Sequence, residues 1–192
     1  MRFHKYSYLE GTHAPLSPSQ YKLWFGKSDE QTQNYYETRQ AAEIGTKLHA
    51  LAASHIELGI RMPRTKKTLD CYINDAIGFG MTPEVLLRYS DLCYGSADAL
   101  VYDDKKKFLR IHDLKTGKIP AGMGQLVVYA ALFCLDYADD FRITPGSLSY
   151  ELRIYQNDDI QVYNPDPDEI AHTVSEIVHK TKVIAKMNTG RY

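Results

Sequence analysis

The chain has 192 residues, an ordinary apolar content and a formal net charge of -1, which is length enough for one substantial core and fits a single domain over 1-192 better than two. The near-neutral balance does not by itself mark a nucleic-acid binder, so local clusters carry more information than the sum. Cys71, Cys93 and Cys134 are odd in number, widely spaced and without a Cys-x-x-Cys, so neither a disulfide framework nor a zinc site is indicated and they read as small core residues. There is no positively charged leader followed by an apolar stretch, and no apolar run long enough to span a bilayer. A soluble, cytoplasmic protein with no membrane partner is expected.

In chain order, residues 1-18 are rich in Pro, Ser, Gly and His and read as an irregular segment. A short helix over 19-25 follows, capped by Ser17 or Ser19 and anchored by Leu23, Trp24 and Phe25. Over 38-58, Ile44, Leu48, Leu51, His55 and Leu58 recur at three and four, an amphipathic helix that Gly59 ends. A second helix is expected over 68-79, before Gly78 and Gly80 break the pattern. Three strands follow at 84-89, 93-102 and 107-114, an antiparallel meander. The apolar run 125-137 reads as a buried helix, 147-155 and 160-163 as strands, and 168-187 as a C-terminal helix. The fold class is therefore α/β (α+β), with helices packed on a mixed, mainly antiparallel sheet.

Side chains in a strand alternate faces, so Asp113 and Lys115 share one face with Ile111 and Leu109, while His112, Arg110 and Phe108 take the other. An apolar pair can enter the core before the polar pair emerges at the strand's end. Pairing across the polar turn 103-107 brings Asp98 alongside Asp113. Two carboxylates and an amine so placed point to metal-dependent phosphodiester cleavage, with a hard cation on the carboxylates and Lys115 assisting the attacking water. The competing reading is an exposed hairpin of cross-strand charge pairs, each worth well under about 1 kcal/mol.

Two further elements, 45-49 and 125-129, accompany this hairpin. Gly45-Thr46-Lys47-Leu48-His49, Gly95-Ser96-Ala97-Asp98, Asp113-Leu114-Lys115-Thr116-Gly117 and Gln125-Leu126-Val127-Val128-Tyr129 occur in that order. They resemble the Gly-Thr-x-x-His helix, the strand ending in an acid, the Asp-x-Lys-Thr-Gly strand and the Gln-x-x-x-Tyr helix of the PD-(D/E)xK nuclease superfamily, in its RecB-like, Cas4-like exonuclease branch. The resemblance covers roughly 17-155. It implies a restriction-endonuclease-like core in which Lys115, Asp113, Asp98, Gln125 and Tyr129 are the catalytic set. His49, Asp98, Asp113 and the carbonyl of Leu114 would hold Mg2+ or Mn2+, and Gly45 would let the helix pack closely on the sheet. Of the acids flanking His49, Glu57 lies near its direction and is kept as an accessory residue, whereas Glu43 points away and reads as solvated.

Many members of the branch carry four cysteines for an iron-sulfur cluster, several near the C-terminus; 188-192 hold none. A cluster is not expected, which favours a compact exonuclease of the phage or mobile-element kind. The leading expectation is a metal-dependent DNA exonuclease releasing 5'-phosphate products in recombination or repair. Its partners would be DNA and, by resemblance, a single-strand annealing or other recombination protein. The alternatives are a non-catalytic nucleic-acid-binding module on the same fold and a structural protein with an incidental hairpin. Three basic clusters, Arg61/Arg64/Lys66/Lys67, Lys105/Lys106/Lys107 and Lys180/Lys182/Lys186/Arg191, read as solvated faces.

Overall fold

The computed structural model describes residues 5, 7-9 and 14-189, so Arg191 lies outside the described residues. The chain divides into two compact units, 1-46 and 47-192.

In the first unit the helix expected over 19-25 is instead a six-residue 3-10 turn, Pro18–Leu23, interrupted at Gln20. Leu23 and Phe25 are exposed and only Trp24 is half-buried, its indole donating to the Ser17 carbonyl. Gln20 accepts from both Tyr35 and Arg39. Helix α1, Asp29–Leu58, begins well before the expected residue 38. Its start is a capping box that apolar periodicity cannot reveal: Ser28 Oγ accepts the Gln31 N–H and Gln31 Oε1 accepts the Ser28 N–H.

In the second unit α1 ends at Gly59, whose φ of +67° suits a residue without a Cβ. Leu51 and Leu58 of the expected apolar stripe are exposed, and Ala52 and Ile56 are buried in their place. They lie on a neighbouring stripe of the same helix, Ala52 one position and Ile56 two positions from the exposed leucines. Helix α2, Thr68–Gly78, buries Tyr72, Ile73 and Ala76. Strands β1 (Thr82–Ser90), β2 (Cys93–Asp103) and β3 (Phe108–Leu114) form the expected meander. Helix α3 (Gly124–Asp136) and the short α4 (Ala138–Phe141) lead to β4 (Ser149–Gln156), β5 (Asp159–Tyr163) and α5 (Pro167–Thr189).

The sheet order is β1-β2-β3-β4-β5, antiparallel throughout except for β3 and β4, which are parallel and joined through α3. The chain is thus α/β with a five-stranded mixed sheet flanked by helices. One face packs Leu109, Ile111, Leu152 and Ile154 with Leu126, Phe133 and Ile170 of α3 and α5. The other packs Ala99, Leu114 and Tyr155 with Ala52, Ile56, Tyr72 and Ile73 of α1 and α2. Each fully buried Leu or Ile contributes about 1.5–3 kcal/mol, so this double layer fixes where the sheet's polar end must sit. Cys134 is buried in the first layer, while Cys93 and Cys71 are half-buried and pack against the first and second layers, so only Cys134 is a core residue in full. Among the described residues no helix is long and apolar enough to cross a membrane.

Candidate metal centre

The buried row of β3 surfaces where expected. Leu109 and Ile111 are fully buried, Asp113 follows at 3% exposure, and Lys115 emerges one step beyond the strand. The ladder between β2 and β3 ends at Ala99–His112, and continuing that register sets Asp98 across from Asp113. There the Asp98 carboxylate takes over the pairing, Oδ2 accepting the Leu114 N–H at 2.8 Å. Leu114 therefore enters the site through its backbone while its side chain fills the core.

His49 of α1 brings Nδ1 to 3.3 Å from Asp98 Oδ2. Lys115 Nζ donates to Gln125 Oε1 at 2.8 Å and to Asp113 Oδ1 at 3.1 Å. It also stands 2.9 Å from Asp113 Oδ2, but outside hydrogen-bond geometry, so that buried oxygen has no hydrogen-bond partner. Gln125 Nε2 in turn donates to Tyr129 Oη at 3.4 Å, across one turn of α3. His49, Asp98, Asp113, Leu114, Lys115, Gln125 and Tyr129 are thus gathered at one end of the sheet. Glu57 is exposed and has no place in the group.

The structure adds Glu84. Donor atoms of His49, Glu84 and Asp98 lie within 4.8 Å of one another, a compact trio from α1, β1 and β2. Asp113, expected in that inner set, turns toward Lys115 instead. Glu84 reaches the site because β1 breaks there: its φ is +49°, and the β1–β2 ladder skips the Glu84/Asp98 step between Pro83–Ala99 and Val85–Ala97. The break also sorts the hairpin's halves, since Ala97 packs with α3 and Ala99, of the same parity, packs with α2. Counting back along the hairpin from the Ser90–Cys93 pair sets Val85 opposite Asp98; the register shift between Arg88 and Ser90 moves Glu84 level with Asp98 instead, and strand alternation alone does not reveal that shift.

The charges are mutually strained. Burial, reinforced by Asp98, pushes the Asp113 carboxyl up to about 6, and burial with Asp98 also raises Glu84. The contact with Asp98 raises His49 above its ordinary value. Three carboxylates against one ammonium and one imidazole leave an excess of negative charge that a cation would relieve. On the opposite face His112 is fully buried with neither ring nitrogen bonded, and burial with Arg153 and Arg110 nearby holds it neutral.

Two supporting devices were not legible beforehand. Gln156, buried, donates to the Gly117 and Ile119 carbonyls and accepts the Ala121 N–H, pinning the loop that carries Lys115 into α3. Gly95 admits the Tyr129 ring: a Cβ there would meet Cε1 at 3.2 Å and Oη at 3.4 Å. Gly95→Val is therefore expected to cost about 1–3 kcal/mol in denaturant unfolding and to displace Tyr129 from Gln125, with Gly95→Ala milder. Equal stability of the valine variant and the parent would show that the ring is free to move aside.

Comparison of the chain with family models, with curated proteins and with solved structures finds no match.

Proposed function

We propose that the chain is a divalent-metal-dependent deoxyribonuclease, an exonuclease of the PD-(D/E)xK, RecB-like type that leaves 5'-phosphate products in DNA recombination or repair. The observation that carries this reading is the convergence of Glu84, Asp98 and Asp113 with His49 and Lys115 at one sheet end, where the buried Asp113 Oδ2 lacks a hydrogen-bond partner. The order of three antiparallel strands, crossover helix and parallel strand supports a restriction-endonuclease-like core.

A donor set of carboxylate oxygens and one imidazole, with no thiolate, fits Mg2+ or Mn2+. His49, Glu84 and Asp98 would hold the ion, with Asp113 and the Leu114 carbonyl as further donors. When bound, it would supply Lewis-acid charge to a phosphate oxygen and acidify a water. The chain's own groups do the positioning. The Leu114 N–H orients Asp98, and His49 bears on the same oxygen. Asp113 and Gln125 hold the Lys115 ammonium at the site, where it orients the nucleophile and offsets negative charge developing on phosphorus. Tyr129 fixes Gln125. The same reading has the protein act in the cytoplasm, that of a bacterial host cell if it is phage-encoded, with a single-strand annealing or other recombination protein as partner.

The test is digestion of linear and circular DNA, single- and double-stranded, labelled at either end, in Mg2+, Mn2+ or EDTA. Loss of ends from linear DNA in Mg2+ or Mn2+ is expected, with none in EDTA and none from Asp98→Ala. Intact DNA in every condition, with binding retained, would replace the enzyme by a non-catalytic nucleic-acid-binding module.

A further inference from the structure

The three basic clusters differ in their surroundings. Lys106 and Lys107 pair with Asp103 and Asp104, and Lys180 pairs with Glu176. Arg61, Arg64, Lys66 and Lys67 form no salt bridge among the described residues, and all four are exposed. Arg61 donates to the Asn74 carbonyl, and the Lys67 ammonium has Asp158 in its neighbourhood.

The segment bearing them is held firmly. Asn74 of α2 accepts the Met62 N–H and donates to the Met62 and Pro63 carbonyls. One turn earlier the buried Asp70 accepts from Thr65 Oγ1, which itself accepts the Lys67 N–H. Residues four apart on one helix thus clamp the backbone of a seven-residue basic loop, so the main chain that bears the cations is already ordered.

Three clefts run along α2 and share walls. One of about 220 Å³ is lined by Leu48, Thr68, Leu69 and Lys115. Thr68 also lines a cleft of about 280 Å³ with Lys66, Cys71, Asp158 and Asp159. Cys71 also lines one of about 430 Å³ with Arg61, Arg64, Asp75 and Phe79. Of the carboxylates here, Asp158 is engaged by the Thr68 N–H and hydroxyl, and Asp75 by Tyr155 and Arg153; Asp159 faces the trough beside them. Phe79 closes the far end, with the Arg110 guanidinium 3.7 Å over its ring and more than a third of the residue exposed.

We infer that this trough is a track for single-stranded DNA, with Arg61, Arg64, Lys66 and Lys67 on its phosphates, leading the strand to Lys115. The inference rests on the nuclease reading for what happens at that end. Helix α2 has 11 residues, about 16 Å, which matches no more than about five phosphates. The clefts run along a single helix with the cations on the loop that borders it, a layout that follows one phosphate backbone, and the exposed part of Phe79, whose ring carries the Arg110 guanidinium, offers a base apolar contact.

The test measures anisotropy of a labelled oligothymidylate with the full chain in EDTA, from 50 to 200 mM salt. The variants are Arg61→Gln/Arg64→Gln/Lys66→Gln/Lys67→Gln and, sparing the Asn74 contact, Arg64→Gln/Lys66→Gln. The fourfold variant is expected to bind roughly 10- to 100-fold more weakly, with the salt slope reduced by about 2 to 3 and the double variant intermediate. Mn2+-dependent hydrolysis of bis(p-nitrophenyl) phosphate stays unchanged in both. An unaltered affinity and slope in the fourfold variant, or binding of duplex but not of single strands by the parent, would overturn the track. If the parent hydrolyses no phosphodiester in Mn2+ while the slope still falls, the nuclease reading fails and the track stands.

Discussion

Lys115→Ala is expected to slow Mg2+-dependent DNA cleavage by about 10²–10³-fold in single-turnover assays, while DNA affinity changes by no more than about threefold. Removing one preorganised donor aimed at developing charge costs about 2.7–4 kcal/mol of transition-state stabilisation. Lys115 meets that description: its backbone N–H is fixed by the Tyr155 carbonyl at 2.9 Å, and its ammonium is shared between Gln125 and Asp113. Lys115→Arg should not restore the rate, because a planar guanidinium cannot keep both contacts from the same stem. Lys118→Ala, an exposed residue in the loop that follows, is the matched control. A loss below threefold for Lys115→Ala would remove the lysine from the chemistry.

Asp113→Asn is expected to stabilise the metal-free protein while abolishing cleavage. The residue is 3% exposed, has one carboxylate oxygen without a hydrogen-bond partner and lies across from Asp98. Its carboxyl is pushed up to about 6 from 3.8, so the ionised form opposes folding by up to about 3 kcal/mol. The sign follows from the raised folded-state value: the cost is absent below about pH 4, grows with pH and is complete somewhat above pH 6. At pH 7.5 the asparagine, which keeps an acceptor for Lys115, should gain about 1–2 kcal/mol, seen as a higher Tm in EDTA. Adding Mn2+ should raise the Tm of the parent and much less that of Asp113→Asn, because a ligand that binds only the folded state stabilises it. A variant less stable than the parent in EDTA would mean that Lys115 already compensates the buried charge.

Much of the site was legible because a hairpin has few degrees of freedom. Strand alternation put Asp113 and Lys115 on one face, and pairing across the 103–107 turn put Asp98 beside them; the ladder Ala99–His112 has that register. The extended β3 burial row, the Gly59 stop and the positions of α2, α3 and α5 follow from equally local patterns of side-chain period and backbone freedom.

Other features depended on what lies across the chain. Periodicity marks a helix without saying which stripe its neighbours will bury, and α1 turned Ala52 and Ile56 inward where Leu51 and Leu58 were the larger apolar candidates. The parallel seating of β3 on β4 needed the crossover through α3. Glu84 joined His49 and Asp98 only because a left-handed residue breaks β1 at that step. Gln156 became a clamp by meeting the Gly117–Ala121 loop from 35 to 39 residues away. Sequence by itself determined which faces each segment has, since those depend on covalent geometry and period. Tertiary structure alone decided which faces meet, because burial and charge placement are settled between segments that carry no information about each other's position.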